Sequence, residues 1–327
     1  MDIWFIDDRG THAHPRVELE ALLARSDGFV WVDIPEFDAD AESVLTDTFG
    51  AHELVLRACR ERNFVPTVHS YEQHVFVIVH TPLPGEGGHV HLLELDQLIG
   101  QSYLVTVHGP RNPVVASSDA TADTDQVRHR IETGRFHPAT PGELFYAIGS
   151  AVARRDGAVV RSVAQRLPAL ELRVMASEFA RPEELLEELF LLRHELLIAR
   201  TMASQAHDIF ARLSGLERFV GEDLRRHARD LSEQFERSRS VADGESQFLF
   251  GVIDLYQTRV TTKMTVAMER LAVIAAVTLP VTAIASIYGM NVIVSSRTHV
   301  VHLVIVLAVM AAISAWLLRW AKRQGWW

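Results

Sequence analysis

Cysteine is all but missing from this chain: Cys59 is the single one in 327 residues. No internal disulfide can form, and no zinc site built on several thiolates is available. Acid is missing from one end. All 42 Asp and Glu lie before Arg270, while only Arg297, Arg319, Lys322 and Arg323 of the 32 basic residues lie after it. The chain up to Arg270 thus carries 42 acids against 28 bases, a formal charge of −14. Nucleic acid is excluded as a partner class, because phosphate binding rests on clustered Lys and Arg, and so acidic a body suits cations. The start, Met1-Asp2-Ile3-Trp4, lacks the basic and apolar segments of a secretory signal, which assigns the charged part to the cytoplasm. Catalytic signatures are lacking too. There is no nucleophile elbow, zinc-protease helix motif or dinucleotide loop, and Pro84-Gly85-Glu86-Gly87-Gly88 is a hairpin turn because no Lys-Ser/Thr follows it. No catalytic residue is assigned and an enzyme is not expected. The 16 histidines, His89 and His91 on one strand face among them, read as packed or solvated rather than as a zinc cluster.

What the chain does have is two long uncharged runs at its C-terminal end. Leu271 to Tyr288 carries no formal charge, and Val300 to Leu318 has His302 as its one titratable group. Each is long enough to span a bilayer as a helix, and two in tandem make a membrane hairpin. Lys263 and Arg270 precede the first run, Arg319, Lys322 and Arg323 follow the second, and Arg297 alone lies between. The positive-inside bias puts both termini in the cytoplasm and the connecting loop outside, with Trp316, Trp320, Trp326 and Trp327 in an inner interfacial belt. A multi-pass protein of the cell's inner membrane follows.

One face of the first run reads Met268, Leu271, Ala275, Leu279, Thr282, Ser286, Gly289 in steps of three and four. It is apolar at the inner end and polar at the outer end. Thr278, Thr282 and Ser286 also stand four apart; such hydroxyls in membrane helices commonly bond back to their own carbonyls. Pro280 removes a backbone donor mid-span. Two helices cannot enclose a watery path, so a pore needs several copies.

In the charged part, residues 2–7, 28–34, 74–81, 89–98 and 103–107 are expected as strands. Helices are expected over 41–49, behind Asp38 and Asp40 as caps, and over 52–60. Residues 117–124 read as an exposed loop. Helices then follow over 142–167, over 182–211 with Pro182 at its first position, and from Glu222 without proline to Pro280 and on to Tyr288. The organisation is an α/β cytoplasmic domain (1–135), a long helical stalk (136–270) and a two-helix transmembrane hairpin (271–327).

Tyr288-Gly289-Met290-Asn291, placed after one span and before another, resembles the signature of the CorA family of divalent-cation transporters, and Leu279-Pro280-Val281-Thr282 matches the run leading to it. Trp31-Val32-Asp33-Ile34, Phe49-Gly50-Ala51-His52, the strand segments 71–80 and 98–108, and Arg229-Asp230-Leu231-Ser232-Glu233-Gln234 extend the resemblance over the whole chain. Glu233 and Gln234 depart from the family's Asp-His there, and the outer loop from Val292 to His299 lacks the usual acids. The resemblance implies a homopentameric funnel with the first span lining the pore. Gly289, Met290 and Asn291 would form the selectivity filter, with Ser286, Thr282, Leu279 and Ala275 as pore lining and Leu271 and Met268 as hydrophobic gate. Asp254 and Asp230 are the acids implied to bind regulatory Mg²⁺, the ion both transported and sensed. Its other partners would be the lipid bilayer and divalent cations, Co²⁺ and Ni²⁺ included. The alternatives are a Zn²⁺ transporter of the same architecture, or a membrane-anchored cytosolic sensor or scaffold.

Overall fold

The computed structural model describes residues 1–176, 182–217, 220–289 and 300–323. Contacts divide the chain into two units, Met1–Gly251 and Val252–Trp327. The first begins with strands β1 (Asp2–Asp7) and β2 (Gly10–His14), a short helix α1 (Leu19–Leu23) and strand β3 (Gly28–Ile34). Helices α2 (Ala39–Ser43) and α3 (Glu53–Arg60) precede β4 (Thr67–Ser70), β5 (Val75–Pro84), β6 (Val90–Ile99) and β7 (Tyr103–His108). Helices α4 (Ser117–Ala120), α5 (Ala122–Glu132), α6 (Pro141–Met175), α7 (Pro182–Ser214), α8 (Glu222–Gly289) and α9 (Val300–Arg323) complete the chain.

The seven strands form one mixed sheet in the order β2-β1-β3-β7-β6-β5-β4. Every pairing is antiparallel except β3 with β7, where Val30 to Ile34 run beside Tyr103 to Val107. Strand side chains alternate between faces, so β3 feeds two cores at once. Phe29 and Trp31 join a core with α5, α6, α7 and α8, whereas Val30, Val32 and Ile34 join one with α1, α2 and α3. Phe145 on α6 meets Phe210 on α7 at 5.9 Å between ring centroids, and Phe210 meets Phe235 on α8 at 5.5 Å, tying the three helices together.

The helix starts follow ordinary capping chemistry. Asp38 accepts from the Ala41 amide at 2.8 Å; Asp40 lies inside α2 and caps nothing. Thr140 accepts from the Glu143 amide at 3.2 Å while Glu143 accepts from the Ala139 amide at 2.9 Å, with Pro141 at the first helical position. Three expectations are corrected. Residues 117–124 are helical apart from Thr121 rather than an exposed loop, and Thr124 is buried because its hydroxyl reaches Asp33 (3.3 Å). The segment expected as a helix from Ala41 to Phe49 starts at Ala39 and relaxes into a π-helical turn over Val44–Thr48. Helix α6 runs past Leu167 to Met175 with Pro168 inside it.

The β3–β7 seam carries a buried polar network. His108 has the Ala120 carbonyl 3.0 Å from Nδ1 and Asp33 Oδ1 3.0 Å from Nε2. Thr124 Oγ1 lies 3.2 Å from the same Nε2. Burial pulls the His108 pKa down, but the hydrogen bond and charge of Asp33 more than reverse this and leave it raised. Trp31 Nε1 donates to Thr106 Oγ1 at 3.1 Å, adding a second polar link across the seam.

Candidate functional site

The site is built on α8, 68 residues long and so on the order of 100 Å by the helical rise. Its sole interior proline is Pro280, as the sequence led one to expect. In its apolar C-terminal stretch, 6% of the most hydropathic window is buried, and in α9 none is. Soluble-protein helices that apolar would be core. These two instead leave Leu271, Leu279, Val300, Val301 and Trp316 about two-thirds exposed.

Exposure along α8 is not uniform. Glu269, Val273, Val277, Pro280, Val281 and Ile284 are the covered or partly covered positions of its last turns, and they form one stripe. Helix α9 has a matching stripe of Val306, Met310, Ile313, Leu317 and Ala321, the pattern two helices leave when laid together. At 100° per residue, the face of Met268, Leu271, Ala275, Leu279, Thr282, Ser286 and Gly289 points roughly 180° away from the covered stripe of α8. All seven are exposed. The structure thus brings these seven onto one open face. Met290 and Asn291, like Arg297, Trp326 and Trp327, lie outside the described residues.

Hydroxyl chemistry on this helix is directional. Thr278 donates to the Ile274 carbonyl at 2.7 Å and Thr282 to the Thr278 carbonyl at 2.8 Å. With its proton spent inward, each oxygen offers only lone pairs outward. An acceptor surface of that kind suits a cation wearing water, whose protons point away from the metal. The sequence reading stopped this face at Met268. In the structure the three-four spacing continues inward through Met264, Thr261, Gln257 and Asp254, of which all four are exposed. Thr261 donates to the Gln257 carbonyl at 2.9 Å, and Thr265 to that of Thr261 at 3.0 Å. Carrying the same periodicity further inward would have found them.

The two acids singled out from sequence are not brought together. They stand several turns apart on α8. Asp254 is exposed, in line with the open face. Asp230 accepts from the Tyr146 hydroxyl of α6 and from Gln234 Nε2 at 3.0 Å. Gln234 also donates to Ser150 at 3.1 Å and lies 3.2 Å from the Tyr146 oxygen. The Tyr146 hydrogen bond, outweighing burial, holds the Asp230 carboxyl below its usual range. Gln234, a departure from the family segment, is therefore the residue that helps clasp Asp230 to its own subunit's α6. Among the described residues, no group of three or more His, Cys, Asp or Glu converges on a metal-sized site.

Against this geometry, residues 26–323 match the family described as CorA-like Mg²⁺ transporter protein. The chain belongs to that family. YfjQ of Bacillus subtilis is 24% identical over 317 residues, covering 95% of this chain and 93% of that one. The cobalt/magnesium transport protein CorA of Thermotoga maritima is 24% identical over 285 residues, covering 84% and 77%. The complete CorA magnesium transporter of Methanocaldococcus jannaschii shares the fold at a TM-score of 0.82 and 18% identity, covering 100% of this chain and 99% of that one. CorA-family proteins are divalent-cation transporters, and the two uncovered apolar helices are those of a membrane protein.

Proposed function

We propose that this CorA-family chain admits Mg²⁺, with Co²⁺ and Ni²⁺ as further cargo, through a pore formed by five copies. The observation that carries this reading is the open face of α8, which is uncovered, amphipathic along its length and opposite the side covered within the unit. Five such faces around one axis would place Asn291 and its neighbours Gly289 and Met290 at the outer mouth. Ser286 and Thr282 lie next along the path, then Leu279 and Ala275, with Leu271 and Met268 as apolar rings that close by excluding water. Mg²⁺ gives up its octahedral waters reluctantly. Neutral amide carbonyls and the outward lone pairs of Thr282 would accept hydrogen bonds from those waters without stripping them, and bind weakly enough for the ion to leave. With both termini in the cytoplasm, Asp254 would face internal Mg²⁺, whose binding screens facing carboxylates and favours the closed state. Asp230 would contribute only after leaving Tyr146 and Gln234, which ranks it second.

The test is ion uptake by liposomes holding the purified full chain, wild type against Asn291→Ala, with Mg²⁺, Co²⁺ and Zn²⁺ offered separately. Mg²⁺ flux in the wild type, reduced at least tenfold in the variant, is expected. Zn²⁺ flux without Mg²⁺ flux would make the protein a zinc transporter. No flux in either would leave a tether for a cytosolic domain.

A further inference from the structure

The chain up to Arg270 carries a formal charge of −14, yet one groove in the Met1–Gly251 unit has arginine as its only charged lining. It lies between α6 and α8, holds about 350 Å³ and is bounded by Arg154, Arg161 and Arg237, with Gly157, Gln234 and Ser238 between them. None of the three guanidiniums makes an ion pair among the described residues. Arg154 donates to Gln126 Oε1 at 3.2 Å, and Arg161 donates to the Arg154 carbonyl at 3.4 Å. Arg154 and Arg237 are exposed to solvent. Burial of its inner end, and then the charge of Arg130 behind it, hold the Arg154 guanidinium below its ordinary pKa. The floor is kept open by Gly157, where a Cβ would come within 3.2 Å of Arg161 Nη1 and 3.3 Å of Ser238 Oγ.

These three cations have no carboxylate in contact, the charges of Asp123 and Asp230 reaching Arg154 and Arg237 only from further off, and this leaves room for a counter-charge from outside. Guanidinium forks match the oxygens of phosphate in pairs. One halide would neutralise one of the three arginines, whereas a chain of two or three phosphates carries charge enough to answer all three. The volume suits such a group and is far too small for a nucleic acid, which the acidity of the surrounding surface disfavours in any case. We propose that the α6–α8 groove binds a polyvalent phosphate-bearing anion, a di- or triphosphate, independently of the ion pathway on α8.

The experiment is calorimetric titration of the full chain in detergent, at low ionic strength and with EDTA present, using pyrophosphate and ATP as probes. Both are expected to bind. Arg154→Gln and Arg237→Gln should each weaken binding on the order of tenfold, and Gly157→Leu should abolish it. Melting curves by circular dichroism would show that the variants are folded, and the two exposed arginine changes keep the test valid if Gly157→Leu unfolds. Equal affinity for the two probes assigns recognition to the phosphates, and tighter ATP binding adds the nucleoside. Absence of binding to the folded wild type, or affinities unchanged by both arginine variants, overturns the proposal. So does a change in assembled mass on Arg237→Glu without binding of either probe, since the groove would then meet the acidic surface of a second copy.

Discussion

Asp156 on α6 is fully buried, and neither carboxylate oxygen has a well-formed hydrogen bond. Burial, opposed only by the Ser238 hydroxyl, pushes its pKa up to about 7 from an ordinary value of 3.8. The folded state therefore holds this proton longer than the unfolded chain does. Its effect is a loss of stability as pH rises from about 4 to about 7, on the order of 4 kcal/mol, and a flat response above. Asp156→Asn should remove that slope and stabilise the chain by about 4 kcal/mol at pH 8, with little change at pH 4. Melting temperatures at the two pH values check this, and parallel profiles for both proteins would refute it. Asp254 carries the functional prediction at this scale. In Asp254→Ala liposomes, half-inhibition by internal Mg²⁺ is expected at about tenfold higher concentration, close to ~1.4 kcal/mol of lost coupling. An unmoved inhibition curve removes Asp254 from the sensor role. Residue types named these acids as candidates, but their surroundings were not legible. That Asp230 is clasped by Tyr146, 84 positions earlier, or that Asp33 meets His108, 75 positions later, depends on pairings that no local pattern encodes.

Local pattern served elements better where it was long. Helix α8 could be read from the lack of proline between Glu222 and Pro280, and the core strands from their runs of Val, Ile, Leu and Phe. The edge strands β2 and β4 were missed because five and four half-exposed residues carry little alternation. Helix α4 was missed because Ser and Asp favour turns, and its four residues bury no side chain that a periodic pattern could show. Element packing supplies its own test at Gly149 on α6. A Cβ there would come within 2.8 Å of Leu231 Cδ1 on α8, so the two helices approach closely at this point. Gly149→Val should destabilise the chain by about 1–3 kcal/mol through overpacking, read as a lower melting temperature. An unchanged melting temperature would mean Leu231 yields freely. On the open face of α8, Thr282→Val keeps shape but removes the outward lone pairs, so Mg²⁺ flux should fall several-fold with folding unaffected.

Assembly is the property of the whole molecule that the pathway depends on. Native mass spectrometry of the purified protein should give five copies; a monomer or dimer would leave the open face of α8 against lipid and end the pore reading. The sheet has a consequence of a different sort. Its strands are two antiparallel sets, β2-β1-β3 and β7-β6-β5-β4, which meet along a single parallel line that pairs Val30 with the distant Tyr103. Each set can zip locally, but loop closure over that distance must come before the two can join. A ribosome would therefore release one half-sheet with a raw central edge and hold it waiting until His108 emerges. The His108 ring and the Asp33 carboxylate that bridge the line would engage last, as a latch between halves made separately.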